Sequence, residues 1–177
     1  MRGAPEQPPV PVEGTGGGDG TALQVCARLH ALWNGGADAA TEAVGSVFHK
    51  HAFVKAPAGR ELVGHADLVE YFASWFAAFP DARWCADFAT DAHSLGGSAV
   101  GRWLAVRWIL AGEHARASAR FGDASGARAV VLGEMHLLLH AETSLVVEGY
   151  IVYDELAVLE QIERARVRVA EPADFAH

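Results

Sequence analysis

Apolar positions along the chain change period near residue 80. Leu23, Cys26, Leu29, His30 and Trp33 recur at helical spacing after Thr21, which can cap the helix, and Asn34-Gly35-Gly36 stops it. A short helix is expected over 38–48, a strand over 52–56 and a loop over 60–65. A strongly amphipathic helix follows over 66–79, because Leu68, Phe72, Trp75, Phe76 and Phe79 share one face. Phe79-Pro80-Asp81 ends it. Beyond that point the period falls to about two. Strands are expected over 83–91, 99–111, 127–141 and 145–154, with Gly96-Gly97 and the 122–126 stretch between them. The last two are close enough to form an antiparallel hairpin. Leu156, Leu159 and Ile162 suggest a helical turn or a last stretch of strand. Helices first and long strands afterwards mean α+β, with helices on one face of a curved antiparallel sheet.

At 177 residues the chain has room for one domain and a little more. Residues 1–20 are rich in Pro and Gly and are expected to be a disordered tail. The domain spans 21–163, and 164–177 read as a loose, polar C-terminal tail. With 51% hydrophobic residues the domain can bury a sizeable core. The net charge of −8 and the lack of a basic run make nucleic acid and anionic membranes poor partners. Arg102 and Arg107 interrupt the longest apolar stretch, so no membrane-spanning helix is expected. Two cysteines without a C-x-x-C spacing argue against a disulfide scaffold, a zinc ribbon or a redox pair. With no secretory-type leader visible, a reducing, cytoplasmic location is expected. No phosphate-loop, dinucleotide, nucleophile-elbow or zincin motif occurs, and no cofactor or metal is expected.

The order of motifs resembles the SnoaL-like polyketide cyclases, a branch of the NTF2-like (cystatin-like) superfamily. Leu32-Trp33-Asn34-Gly35-Gly36-Ala37-Asp38 looks like that family's W-N-x-G-D opening. Gly64 to Phe72 resembles its G-x-x-x-[IVL]-x-x-[FY] helix start, and Phe79-Pro80-Asp81 its F-P-D. The run from Arg107-Trp108 to Gly112-Glu113-His114 resembles its R-W-x-h-x-G-x-H strand, h being apolar. Ser125-Gly126-Ala127-Arg128 sits where a T-G-[KR] turn is usual. Glu148-Gly149-Tyr150-Ile151-Val152-Tyr153-Asp154 fits E-x-[WY]-x-x-x-D, and Leu156, Leu159, Gln161 and Ile162 its closing segment. The match runs over 32–162. It implies a cone in which a curved sheet wraps around helices and leaves a deep apolar pocket. It also implies a homodimer formed through the sheet, a polyketide or polycyclic substrate and a cofactor-free aldol cyclisation.

Within that resemblance Asp154 is the expected general acid/base. Its three apolar or aromatic predecessors would raise its pKa toward neutrality. It could instead cap the turn after the strand or pair with an arginine. His140 falls where relatives place an assisting histidine, and His136 shares its strand face. An odd residue count in the hairpin loop puts His140, Glu148, Tyr150 and Asp154 on one face; an even count moves the histidines to the other. His114 could reach the pocket mouth or begin a loop. Lys55 stands where many relatives carry a histidine, and it could donate to a carbonyl or be solvated. Arg107 is expected to be a structural or dimer-surface charge. Trp33, Phe72, Trp75, Phe76, Trp103 and Trp108 could line a pocket or be plain core, with Tyr150 and His136 as further binding residues. His49-Lys50-His51 is too sparse for a metal site. Other pocket chemistries (isomerase, dehydratase, epoxide hydrolase) and a non-catalytic binder or accessory subunit are the alternatives. They divide on whether Asp154, His140 and Lys55 face a common cavity.

Overall fold

The computed structural model describes residues 20–92 and 101–170. The expected N-terminal tail and the Gly96-Gly97 punctuation lie outside the described residues, apart from Gly20. Among the described residues four helices and six strands follow one another as α1 (Thr21–Asn34), α2 (Gly36–Val47), β1 (Phe48–Ala56), β2 (Arg60–Val63), α3 (Gly64–Ala78), β3 (Arg83–Ala92), β4 (Gly101–Glu113), β5 (Arg128–His140), β6 (Val146–Tyr153) and α4 (Glu155–Ala170). The strands make one sheet in the order β2-β1-β6-β5-β4-β3. The sheet is curved and does not close, and the class is α+β as expected.

Three expectations change. Residues 60–63 form an edge strand antiparallel to β1, with Lys55 opposite Glu61. The β1–β6 pair is parallel, so the sheet is mixed. A four-residue strand at an edge carries too short a pattern to be told from a loop, and a crossover pairing leaves no local signal. The C-terminal region expected to be loose from 164 continues α4 to Ala170.

The face expected for α3 meets the inner side of the sheet; that of α1 is turned so that Leu23 and His30 are exposed and Val25 and Leu32 take their place. Val25, Cys26, Leu29, Leu32 and Trp33 of α1 are buried, as are Leu68, Tyr71, Phe72, Trp75 and Phe76 of α3. Trp33 lies edge-on to Phe72 at 4.9 Å and stacks on Trp108 of β4 at 6.3 Å. Two motif residues act as fasteners. Asn34 accepts from Trp84 N at 2.8 Å and donates to Trp84 O at 2.9 Å, fixing the end of α1 to β3. Asp81 Oδ1 accepts from Glu113 N at 2.7 Å, joining the turn after α3 to the end of β4. Helix α4 buries Val158 and Ile162, and Gln161 pairs with both the N–H and the C=O of Val130.

On the inner face Trp108 sits opposite Gly133 of β5. A Cβ at Gly133 would lie 2.3 Å from Trp108 Cζ2 and 2.7 Å from Val152 O. The missing side chain is therefore what lets the indole lie across the sheet. Gly133→Ala is expected to lower stability by about 1–3 kcal/mol through overpacking. Chemical denaturation checks this, and an unchanged midpoint would contradict it.

Candidate functional site

Alternation along β5 and β6 separates two faces. Met135, Leu137, Ile151 and Tyr153 point inward and are buried, whereas His136, Tyr150, Leu132 and Val152 are exposed. The hairpin register pairs His136 with Tyr150 and Leu138 with Glu148, with an irregularity at Leu138/Leu139. The histidines thus share the face of Glu148 and Tyr150, the grouping expected from an odd loop. That face is the outward one. Lys55 continues the row as the neighbour of Tyr150 and is exposed. Tyr150 donates to Glu148 at 3.0 Å, and His136 lies 3.5 Å from Glu134. His140 stacks on His49 at 6.3 Å and accepts from Glu142 N. Asp154 is exposed and accepts from Ala157 N at 3.0 Å, so it caps α4 in the way weighed as its alternative. Among the described residues, Asp154, His140 and Lys55 line no common cavity.

The aromatic residues named for a lining divide similarly. Trp33, Phe72, Trp75, Phe76 and Trp108 are all fully or nearly fully buried and pack on one another as core. Trp103 is half-buried beside Tyr150 at 6.0 Å. Arg107 pairs with Asp87 on the surface at 2.9 Å.

A groove of about 750 Å³ opens elsewhere, between α3, β2 and the β4–β5 loop. One helical face of α3 supplies Asp67, Glu70, Tyr71, Ser74 and Ala77, at i, i+3, i+4, i+7 and i+10. The opposite face of the same helix is core. Arg60 and Leu62 come from β2, and Ser118 and Arg120 from the loop.

Arg120 dominates this groove. Its side chain is 7% exposed. Nε donates to Glu155 Oε1 at 3.0 Å, Nη1 to Ser74 Oγ at 3.1 Å and Nη2 to the Tyr153 hydroxyl. A guanidinium has five N–H groups, so two remain for a ligand. Tyr71, Trp75 and Phe121 surround it with ring faces at 4.9–5.0 Å. Burial disfavours its charge, but Tyr153, Tyr71 and Glu155 outweigh that and hold it as a cation. Glu155 also accepts a forked pair from Arg60, at 2.7 and 3.2 Å. Burial pushes the Glu155 carboxyl up, yet its bonds to the two arginines prevail and keep it below the usual range. Burial, then Tyr71, drive the Tyr153 phenol far upward against the pull of Arg120. Tyr153 therefore stays protonated. Tyr71 is buried, and its hydroxyl donates to that of Tyr153 at 3.4 Å.

This set can hold and polarise a ligand oxygen. Arg120 is its donor, Tyr71 can join it by turning its one O–H from Tyr153 to the ligand, and the carboxylates of Asp67 and Glu70 stand on the same wall. Asp67 has one oxygen engaged by Val63 N at 2.8 Å. Among the described residues, no three His, Cys, Asp or Glu side chains are placed to hold a metal ion. No helix there is long and apolar enough to cross a membrane.

His114 is fully buried, with Nδ1 3.1 Å from Ser125 Oγ and, among the described residues, no partner for Nε2. Burial, then the charge of Arg166, lower its pKa, so the ring is neutral near pH 7.

The model of the SnoaL-like polyketide cyclase family matches residues 24–162. Similar solved structures include a candidate SnoaL-like polyketide cyclase from Jannaschia sp. CCS1, at 19% identity and a TM-score of 0.64, covering 89% of this chain and 97% of that one. TsrD from Streptomyces laurentii is 16% identical with a TM-score of 0.63, covering 82% and 96%. AclR, a candidate hydroxylase from Streptomyces galilaeus, is 17% identical with a TM-score of 0.58, covering 81% of each chain. At these identities the likeness shows the fold. No curated protein matches the sequence significantly.

The depressed Glu155 pKa ties stability to pH. Its contribution is present above the unfolded carboxyl value near 4.5 and is lost as pH falls through the lower folded value. Glu155→Gln is expected to cost on the order of 3 kcal/mol at pH 7, since it leaves the buried Arg120 without its anion. It should also flatten this acid-side loss. Unfolding curves from pH 7 to 3 check both; parallel pH profiles for the two proteins would contradict the assignment.

Proposed function

The chain belongs to the SnoaL-like polyketide cyclase family, and from that premise we propose that it is a cofactor-independent acid/base enzyme acting on a carbonyl-bearing small molecule in the Arg120 groove. The substrate class is polyketide or polycyclic, and the reaction is an intramolecular aldol closure of secondary metabolism. The observation that carries this reading is Arg120 itself. A buried guanidinium with two unspent N–H groups, beside a buried tyrosine hydroxyl at a groove wall, is preorganised to hold a developing oxyanion.

Glu70 is the base in this reading. It stands one helical turn from Ser74, which touches Arg120, and side chains so spaced are ~5–6 Å apart at Cβ. In this reading a carbonyl oxygen held by Arg120 and Tyr71 turns its α-carbon toward Glu70, which lines the same groove. Glu70 removes the α-proton. The C–H electron pair becomes the enolate double bond, and the carbonyl π pair moves to the oxygen held by Arg120. The enolate carbon then attacks a second carbonyl of the same molecule, and Glu70 returns its proton to the new alkoxide. Nothing is lost or gained, so the product is an isomer of the substrate. Asp154, His140, Lys55, His136 and Tyr150 do no chemistry here, because none of them lines the groove.

A second reading, a non-catalytic binder or accessory subunit using the same groove, is favoured by one observation. Lys55, His136 and Tyr150 lie on the outward sheet face and Asp154 caps α4, so the polar residues expected around a pocket do not line the groove.

We extend the proposal to a cytoplasmic homodimer. Val130, Leu132, Val152 and Phe88 expose 40–69% of their surface on the outward sheet face, an apolar patch that a second copy could cover. Cys26 and Cys85 are both free, which suits a reducing compartment.

Two outcomes are expected. Incubated in D2O with a panel of polycyclic ketones and ketoesters, the native protein exchanges α-protons of a bound ketone. Glu70→Gln slows that exchange by about 10²–10⁴-fold while calorimetry finds binding retained. Binding without exchange by the native protein would establish the binder instead; equal exchange by the variant would remove Glu70. In light scattering the native protein runs as a dimer and Leu132→Lys as a monomer. A monomeric native protein would overturn the assembly.

A further inference from the structure

His114 neither lines the groove nor touches any residue of its polar set, yet it closes the loop that delivers Arg120. Its N–H donates to Ala127 O at 2.8 Å. Its C=O accepts from Ser125 N at 3.2 Å and from Gly126 N at 3.0 Å. Its Nδ1 meets Ser125 Oγ, which also accepts from Ala127 N at 3.2 Å. One residue thereby joins both ends of the loop between β4 and β5. The next residues, Ala115 and Arg116, donate to Ala78 O at the end of α3, so the base of the loop is fastened to the helix that forms the groove wall.

The ring adds a second connection. It packs at 5.2 Å against Phe79, just past α3, and at 6.3 Å against Phe121, the residue after Arg120. Phe121 is itself wedged against Trp75 at 4.9 Å and Phe79 at 5.2 Å. The imidazole is thus a spacer between the end of α3 and the segment bearing Arg120. Among the described residues its Nε2 has no partner, and the ring is held by the bond to Ser125 and by its packing on Phe79 and Phe121.

We propose that His114 is a positioning residue for the groove: through Ser125 below and Phe121 above, it sets where the Arg120 guanidinium stands relative to Ser74, Tyr71 and Glu155. The proposal rests on the groove being the site. In it a small displacement of Arg120 matters, because oxyanion donors act only when aimed at the oxygen.

The test compares His114→Ala with His114→Asn, whose side-chain amide can keep the bond to Ser125, using the full chain. The first readout is the NMR signal of the Arg120 Nε–H, which the bond to Glu155 separates from solvent-exposed arginines. The second is α-proton exchange of a bound ketone. In folded His114→Ala the Arg120 signal shifts toward that of a free arginine, and exchange falls roughly 10–100-fold. His114→Asn restores both. Ser125→Ala gives the same displacement, to a smaller degree, and serves if His114→Ala does not fold. An unmoved Arg120 signal in a folded His114→Ala or Ser125→Ala protein would overturn the proposal. If the native protein exchanges no ketone, the enzymatic reading fails while the Arg120 signal still decides the role of His114.

Discussion

One carboxylate shared by two arginines ties together the parts of this molecule that sequence order keeps far apart. Glu155 opens α4, Arg60 lies on the edge strand β2 and Arg120 lies on the loop between β4 and β5. Desolvating an ion pair is costly, and the cost is offset only when the partners are well bonded. Here they are, since Ser74, Tyr153 and the backbone of Pro57 take further arginine N–H groups. The arrangement is directional in a way that apolar packing is not. It specifies one placement of α4 and one of the loop, and it leaves a cation at the wall of a groove.

The aromatic core explains why the groove lies where it does. Trp33, Phe72, Trp75 and Trp108 fill the space between α1, α3 and the inner sheet face. Helix α3 therefore has two faces with different tasks. The Leu68–Phe72–Trp75–Phe76 face is spent on the core, and the Asp67–Glu70–Tyr71–Ser74 face meets the groove. Only Tyr71 straddles both, buried and yet lining.

Much of the architecture was legible in the chain. Helical and then twofold periodicity predicts the α+β order, and Trp33-Asn34 and Phe79-Pro80-Asp81 mark joints that prove to be side-chain fasteners to β3 and β4. The candidate site was less legible. Periodicity with an odd hairpin loop groups the histidines with Glu148 and Tyr150 but does not say which face meets the helices; that face turns outward, and the parallel β1–β6 pairing, which has no local signal, adds Lys55 to it. Asp154 carries the motif and acts as a cap. Arg120 carries no motif; its partners stand 35 residues on and 46 residues back. A lone arginine in a polar loop looks solvated until the fold buries it. The helical spacing of Asp67, Glu70, Tyr71 and Ser74 was the one available signal, and it is weak because a polar helix face is ordinarily a solvated one.

In the function proposed above, the working surface is the Arg120 groove and not the outward sheet face bearing Lys55, Tyr150 and His136. Crystals soaked with polycyclic ketones and ketoesters test it most directly. A ligand oxygen is expected within about 2.7–3.2 Å of an Arg120 nitrogen or the Tyr71 hydroxyl, with its α-carbon toward Glu70. A ligand seated beside Lys55 and His136, with the groove empty, would contradict it.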